Sequence, residues 1–327
     1  MSWAGKHVLV TGAGGFIGSH LTERLVSLGA QTRAFVRYNS AGSRGWLDRS
    51  SCKNDIEVMV GDIRDPDTIV QAMQQIEVVF HLAALIGIPY SYHAPISYVR
   101  TNVEGTVNVL QAALHAGVGK VIHTSTSEVY GTARYVPIDE VHALQGQSPY
   151  SASKIAGDKM AESFYLSFNL PVAIIRPFNT YGPRQSARAI IPTIIVQALT
   201  QPALSLGNLD PLRDLTYVED TVDGFIKISE SPQSVGEVIN IGSGREISIG
   251  DLAKMILQLT DKDLPIIKDE QRVRPQGSEV ERLCADTRKA QQFIGWLPRT
   301  DLSEGLLKTI GWVRQNLEQY RTDNYAI

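Results

Sequence analysis

The chain has 327 residues, of which 43% are hydrophobic and 20% charged, and its formal net charge is -3. That length suits one large α/β domain with a smaller lobe, or two domains, and the composition is that of an ordinary globule. The charge excludes a general attraction to nucleic acid or anionic membrane, so an anionic ligand must be met by local positive groups.

Cys52 and Cys284 form no metal-ligand spacing and read as reduced thiols, so no metal is expected. No secretory leader is recognisable before the strand-like run Lys6-His7-Val8-Leu9-Val10, and no apolar run approaches membrane-spanning length. The expectation is a soluble, cytoplasmic protein.

The first strand, His7 to Val10, ends in Thr11-Gly12-Ala13-Gly14-Gly15-Phe16-Ile17-Gly18. A helical pattern follows, with Ile17, Leu21, Leu25 and Leu28 on one face and Gly29 as its stop. Glycines at 12, 15 and 18 allow a tight turn, a close backbone approach to pyrophosphate and close helix–sheet packing. Gly12, Gly15, Phe16, Ile17 and Gly18 are therefore the expected phosphate site of a dinucleotide at a helix N-terminus.

The second strand, Gln31 to Val36, leads into Arg37-Tyr38-Asn39-Ser40. NAD sites usually carry a carboxylate here for the ribose 2′-hydroxyl, but the next acidic residue is Asp48. Arg37, with Asn39, Ser40 and Arg44, suits a 2′-phosphate instead, which tilts the choice toward NADP without excluding NAD.

A third strand, Ile56 to Ile63, offers Asp62 and Ile63 to adenine, and a fourth, Val78 to Ala84, brings Leu82, Ala83 and Ala84 to a small-residue tip for the cofactor to pass. Asn102 opens a helix that runs to Gly117 and joins the cofactor set; Val121 to Ser125 is a fifth strand. His81 and His123 lie on apolar strands and read as core histidines. Strands alternating with helices in this way predict a doubly wound parallel sheet whose ligands bind at the carboxyl ends of the strands.

That fifth strand ends in Ser125-Thr126-Ser127-Glu128, and Tyr150 and Lys154 follow on a helix to Phe168, capped by Ser148 with Pro149 in its first turn. The spacing places phenol and ammonium on one helix face, where the charge is expected to lower the phenol's pKa. Thr126 has a structural alternative as a strand-end hydroxyl serving the backbone. Val172 to Ile175 is a further strand leading into Arg176-Pro177-Phe178-Asn179-Thr180-Tyr181-Gly182-Pro183-Arg184. Beyond it the rhythm turns irregular, with Arg213 to Asp220 and Arg272 to Pro275 read as loops, and helices after Ser248 and Asp301.

With these motifs in this order, the chain resembles the extended short-chain dehydrogenases/reductases of the nucleotide-sugar epimerase/dehydratase group over nearly its whole length. The resemblance implies a Rossmann-type sheet (residues 1–178) and a smaller mixed α/β substrate lobe (residues 179–327) interleaved with it. It implies tightly bound NAD(P)+ and a chemistry that begins by oxidising a sugar C4 hydroxyl. Tyr150 would be the base and Lys154 its partner on the nicotinamide ribose. Ser125 or Thr126 would bond the C4 oxygen, and Thr126, Ser127 and Glu128 would serve the elimination that follows. Asn179, Arg213 and Arg274 would hold the diphosphate, while Arg184 and Arg272 read as solvated charges.

Thr-Ser-Glu is similar to GDP-mannose dehydratases, whereas dTDP-glucose dehydratases have Asp at the middle position; UDP-glucuronate decarboxylases also resemble the segment. Arg37-Tyr38-Asn39-Ser40 with Gly45-Trp46-Leu47 resembles the 4,6-dehydratases of legionaminic-acid-type pathways, which implies a UDP-N-acetylglucosamine-like substrate. A UDP-sugar 4-epimerase, a UDP-glucuronate decarboxylase and a non-enzymatic dinucleotide-binding regulator are the alternatives; the Tyr150/Lys154 pair argues against the last. Apolar faces on the Asn102 and Tyr150 helices suit a homodimer.

Overall fold

The computed structural model describes residues 2–320. The chain begins β1 (His7–Thr11), α1 (Phe16–Ser27), β2 (Gln31–Arg37), β3 (Ile56–Gly61), α2 (Pro66–Ala72) and β4 (Val78–His81). Two short helices follow, α3 (Ile88–His93) and α4 (Pro95–Tyr98), then α5 (Gly105–His115), β5 (Lys120–Thr124), α6 (Pro149–Phe168) and β6 (Val172–Pro177). The remainder is β7 (Asn179–Tyr181), α7 (Ile190–Thr200), β8 (Leu204–Leu206), β9 (Leu212–Tyr217), α8 (Val218–Glu230) and β10 (Val238–Ile241). It closes with β11 (Glu246–Ser248), α9 (Ile249–Leu259), β12 (Ile266–Lys268), α10 (Arg288–Ile294) and α11 (Leu302–Gln315).

Seven parallel strands form the main sheet in the order β10-β6-β5-β4-β1-β2-β3, so the order reverses between β1 and β4 and opens a crevice at their carboxyl ends. Alternation along the strands supplies two cores. Val8, Val10, Phe80 and Ile122 meet Leu21 and Leu25 of α1 and Phe225 of α8 on one face. Leu9, Val79, Val121 and Val172 meet Ile69, Leu110 and Phe164 of α2, α5 and α6 on the other. Each such side chain contributes about 1.5–3 kcal/mol on burial, which is what holds helices to both faces. A three-stranded sheet, β11-β9-β7, and the β12-β8 pair build the smaller lobe.

Two glycines in the first loop are fixed by sterics. Gly12 has φ +73°, and a Cβ on it would lie 2.8 Å from the Ala83 nitrogen; a Cβ on Gly18 would lie 2.2 Å from the Gly12 oxygen. The strand, the loop and α1 therefore close on one another without room for a methyl group.

Three readings change. Residues Arg213–Tyr217 are not loop but β9, and Val218 onward is α8. The polar run looked loop-like because its partners are remote: Asp214 is fully buried and accepts from the Ser243, Gly244 and Ala285 nitrogens at 2.6, 2.9 and 2.9 Å. Val238–Ile241, unassigned in the sequence, completes the sheet beside β6. The predicted helix from Asn102 starts as a wider π-type turn over Val99–Glu104 before becoming α5.

Lys120, at the start of β5, is buried, and its ammonium donates to the carbonyls of Ile228, Ser229 and Ser231 and to Ser234 Oγ at 2.6–3.3 Å. It thus caps the C-terminus of α8 with a positive charge. Burial lowers its pKa to about 8. Lys120→Met keeps the apolar stem and orphans those acceptors; it is expected to cost about 2–3 kcal/mol in urea denaturation, and an unchanged midpoint would refute the capping role.

Candidate active site

The β4 tip is held by a directional chain of hydrogen bonds. Thr11 Oγ1 accepts from the Leu82 and Ala83 nitrogens, both at 3.1 Å, so its own proton goes to His81 Nδ1 at 2.8 Å. His81 is then the Nε2–H tautomer and donates to Thr106 Oγ1 at 3.0 Å, and Thr106 donates to the Asn102 carbonyl at 2.7 Å. The Asn102 amide in turn clasps Leu85 through both its backbone groups and donates to Ser153 Oγ. Asn102 is fully engaged within the protein, so it positions the cofactor-side loop rather than meeting a cofactor with its side chain. The widened turn at Val99–Glu104 carries it there.

Where β5 ends, alternation separates two neighbouring hydroxyls. Ser125 Oγ donates to Asp158 Oδ2 at 2.7 Å beneath the sheet end, so the hydroxyl expected as one of two on the substrate is engaged within the protein. Thr126 Oγ1 accepts from the Glu128 nitrogen at 3.3 Å and hydrogen-bonds Tyr150. Ser127 and Glu128 lie in the buried 3-10 turn Ser127–Tyr130. Glu128 is close enough to raise the pKa of Tyr150 on one side and that of Arg213 on the other.

Tyr150 and Lys154 share one face of α6, whose N-terminus is held by a reciprocal capping box between Ser148 and Ser151. The expected lowering of the phenol's pKa is absent in the protein alone. Burial drives the Tyr150 pKa well above its ordinary value; the Thr126 hydrogen bond offsets part of this, and Glu128, Tyr98 and Asp158 add to it. Lys154 aims its ammonium at the Thr124 carbonyl, 2.6 Å away, and burial lowers its own pKa to about 8 against the pull of Asp158. Desolvation is the largest influence on both groups.

Asp158, one helical turn past Lys154, went unnoticed in the sequence although the i+4 spacing marks it. It accepts from Arg176 Nε and Nη2 at 3.1 and 3.0 Å, and His123 Nε2 stands 3.3 Å from its other oxygen. Arg176 also donates to Tyr130 Oη, which donates to Asn240 Oδ1. Tyr98, another unforeseen neighbour, sets its ring edge-on to Tyr150 at 6.3 Å and comes from α4, a helix with no sequence signal.

On the cofactor side, α1 has Gly15 at its N-cap, with no side-chain cap and no acidic residue in its first turn, leaving its positive end available to a pyrophosphate. Phe16 lies edge-on to His20, and Ile17 packs on the core. Asp62 is bound by Arg64, which lowers its pKa, and lies near Arg37; Ile63 packs instead into the core against Gly105. Asn39 closes its own loop through Ser43, so it is not turned toward a 2′-phosphate, while Ser40 stays exposed. Leu82 and Ala83 line the tip through Thr11, and Ala84 follows, half-buried.

On the lobe side, Arg213 is buried and pairs with Glu279 at 3.0 Å, and Arg274 reaches the same carboxylate at 3.6 Å. Glu279 carries no sequence signal for this role because its partner is 66 residues away. Asn179 Oδ1 is buried without a hydrogen-bond partner, as an acceptor awaiting a polar ligand would be, and Arg274 Nη1 is buried with only the 3.6 Å ion pair to Glu279. Arg184 and Arg272 are not solvated charges: Arg184 binds Glu23 with both terminal nitrogens, and Arg272 pairs with Asp269. Among the described residues, no cluster of His, Cys, Asp and Glu could hold a metal, and no helix is long and apolar enough to cross a membrane.

The sequence family described as GDP-mannose 4,6 dehydratase matches residues 9–309. Similar proteins include a dTDP-glucose 4,6-dehydratase of Streptomyces antibioticus, 32% identical over 95% of this chain and 93% of its own. A UDP-glucose 4-epimerase of Mycolicibacterium smegmatis is 34% identical over 94% of this chain and 98% of its own. A UDP-N-acetyl-alpha-D-glucosaminuronate decarboxylase of Bacillus cytotoxicus is 34% identical over 95% and 98%. The solved structure of DesIV, a dTDP-glucose 4,6-dehydratase from Streptomyces venezuelae with NAD and TYD bound, superposes with a TM-score of 0.88 at 30% identity, covering 96% of this chain and 98% of that one.

The pKa of His81 is pushed well below the ordinary 6.5 by burial, then by His123 and Lys154, and burial likewise lowers that of His123. Below that pH the unfolded chain takes up protons that the folded chain refuses. Stability should therefore fall on acidification by about 1.4 kcal/mol per pH unit for each histidine. Urea midpoints at about pH 7.5 and about pH 5.5 test this, and equal values would contradict the neutral tautomer assigned above.

Proposed function

The chain belongs to the family described as GDP-mannose 4,6 dehydratase, within the extended short-chain dehydrogenases/reductases acting on nucleotide sugars, and on that premise we propose that it is a nucleotide-sugar 4,6-dehydratase. The observation that carries this reading is Glu128, a buried carboxylate within electrostatic range of the Tyr150 phenol. An epimerase has no use for such a group after C4 is oxidised. The substrate is a UDP-N-acetylglucosamine-like sugar, with Asn179, Arg213 and Arg274 on its diphosphate; the two arginines, both beside Glu279, support this, since arginine suits the task by its two-pronged geometry, and Asn179 would donate through its amide nitrogen.

A nicotinamide dinucleotide held by the Gly12, Gly15 and Gly18 loop at the N-terminus of α1 would supply a hydride acceptor for C4, a donor for C6 and a positive charge favouring the ionised form of Tyr150. Tyr150 takes the C4 hydroxyl proton, and Thr126 bonds the oxygen as it becomes a ketone. Lys154 lies one turn along to bond a ribose hydroxyl. The new ketone acidifies the C5 proton, which Glu128 removes. Water then leaves from C6, protonated by Glu128 directly or through Ser127. C6 takes back the hydride and C5 takes a proton, which balances the one Tyr150 removed from the C4 hydroxyl, so the product is a 4-keto-6-deoxy sugar plus one water, with no net change in oxidation state.

A second reading is favoured by the nearness of Arg213 to Glu128. That arginine could meet a C6 carboxylate, as a UDP-glucuronate decarboxylase requires, and one similar protein is a decarboxylase. Mass spectrometry with UDP-, GDP- and dTDP-sugars separates the readings. Dehydration predicts loss of water from one substrate. Glu128→Gln should lower turnover by about 10²–10⁴-fold while oxidation at C4 persists. Isomerisation without mass change would sink the dehydratase reading, and carbon dioxide released from UDP-glucuronate would establish the second one.

For the dinucleotide, the tilt toward NADP weakens: Asn39 is spent on its own loop, and Arg37 lies beside Asp62. We infer NAD as the tightly held cofactor. Exposed Val99, Leu166 and Phe168, on the α5 and α6 side, support pairing of two copies. Native mass spectrometry should show a dimer carrying NAD; a monomer, or a mass matching NADP, would overturn the corresponding half of that expectation.

A further inference from the structure

Arg184 is the least expected residue of the lobe. It adopts φ +71°, a backbone region that a side chain rarely occupies without compensation. The compensation comes from α1. Arg184 Nη1 and Nη2 each donate to Glu23 at 3.0 Å, and Nη1 also reaches Ser19 Oγ at 3.1 Å. Next to it, His20 Nε2 lies 3.1 Å from the Pro183 carbonyl. The guanidinium is only 14% exposed and stacks over Trp312 of α11 at 5.8 Å.

From Arg184 two routes lead to the glycine loop. Ser19 Oγ donates to the carbonyl of Phe16, the first residue of α1, at 3.0 Å. Trp312 meets Trp46 edge-on at 5.8 Å, and the Trp46 nitrogen donates to the Gly14 carbonyl at 3.0 Å. In the other direction the same segment runs back to Asn179, with its unpartnered amide oxygen, and Gln185 braces it by donating to the Thr180 carbonyl at 2.9 Å.

We propose that Arg184 is a positioning residue that couples the two ligand sites, so that a nucleoside diphosphate seated on the Asn179 segment holds the dinucleotide in the glycine loop. This rests on the nucleotide-sugar reading above. A ligand that fixes Asn179 restricts the Gly182-Pro183-Arg184 corner, and that corner is pinned to the first two turns of the helix that faces the pyrophosphate. By linkage, the dinucleotide must equally tighten the nucleoside diphosphate.

The test follows exchange of the resident dinucleotide against an isotopically labelled copy, on the whole protein, with UDP, GDP or dTDP present or absent. One of the three should slow exchange about tenfold in the wild type, a typical coupling. In Glu23→Gln and Arg184→Lys the slowing should shrink to less than about twofold although the same nucleotide still binds. Glu23→Gln alters one atom at a half-buried surface and carries the test even if Arg184→Lys folds poorly. Slowing by GDP or dTDP instead of UDP would support the coupling and correct only the nucleotide. Equal slowing in Glu23→Gln and wild type, or no slowing by any of the three, would overturn it.

Discussion

The buried ion pair between Asp158 and Arg176 is the constraint on which the rest of the site depends. Both groups are almost wholly removed from water, at 1% and 3% exposure. Burial alone would raise the pKa of Asp158, but His123, Arg176 and Ser125 together bring it below the ordinary range, so the carboxylate stays ionised. A buried pair of this kind is a weak source of net stability, because desolvation consumes most of the attraction. Its value lies in geometry. One carboxylate fixes α6 to the ends of β5 and β6, and through Arg176 and Tyr130 it fixes the Ser127–Tyr130 turn and β10 as well. The phenol, the hydroxyl and the carboxylate of the site all belong to elements tied to that one group.

The two sides of the crevice are built differently. The dinucleotide side consists of long parallel strands with cores on both faces, and its polar groups close on one another in chains such as Thr11-His81-Thr106-Asn102. The lobe side consists of short strands, and several of its polar groups are left incomplete, among them Asn179 and Arg274. A site of this kind presents a fixed redox surface to a variable ligand surface. The similar proteins accordingly include dehydratases, epimerases and decarboxylases at comparable identity.

What the sequence disclosed follows from how far each signal reaches along the chain. The glycine loop and the Tyr150/Lys154 spacing are local patterns whose partners lie within a helical turn, and they were legible. β9 was not, because Arg213 and Asp214 become acceptable in a buried strand only through Glu279, Ser243 and Ala285. Ser125 and Thr126 looked equivalent until strand alternation sent one hydroxyl to Asp158 and the other to Tyr150. The pKa of Tyr150 could not be read from spacing at all, since its largest cause is burial by residues such as Tyr98 that come from unsignalled helices.

The anchoring of Lys120 has a mechanical consequence. β9 and α8 are consecutive, and α8, about 20 Å long at its normal rise, returns from the lobe to end on Lys120, the first residue of the strand whose far end carries Thr126. Strand and helix are thus tied at the base of the sheet by Lys120 and along their length by Phe225, which packs on Phe80 of the adjoining β4, while Thr126 follows the far end of the strand and β9, with Arg213, leads into the helix. That double attachment, at the base and through the core, holds helix and strand in lengthwise register, and with them the separation between Thr126 and the β9 strand that carries Arg213.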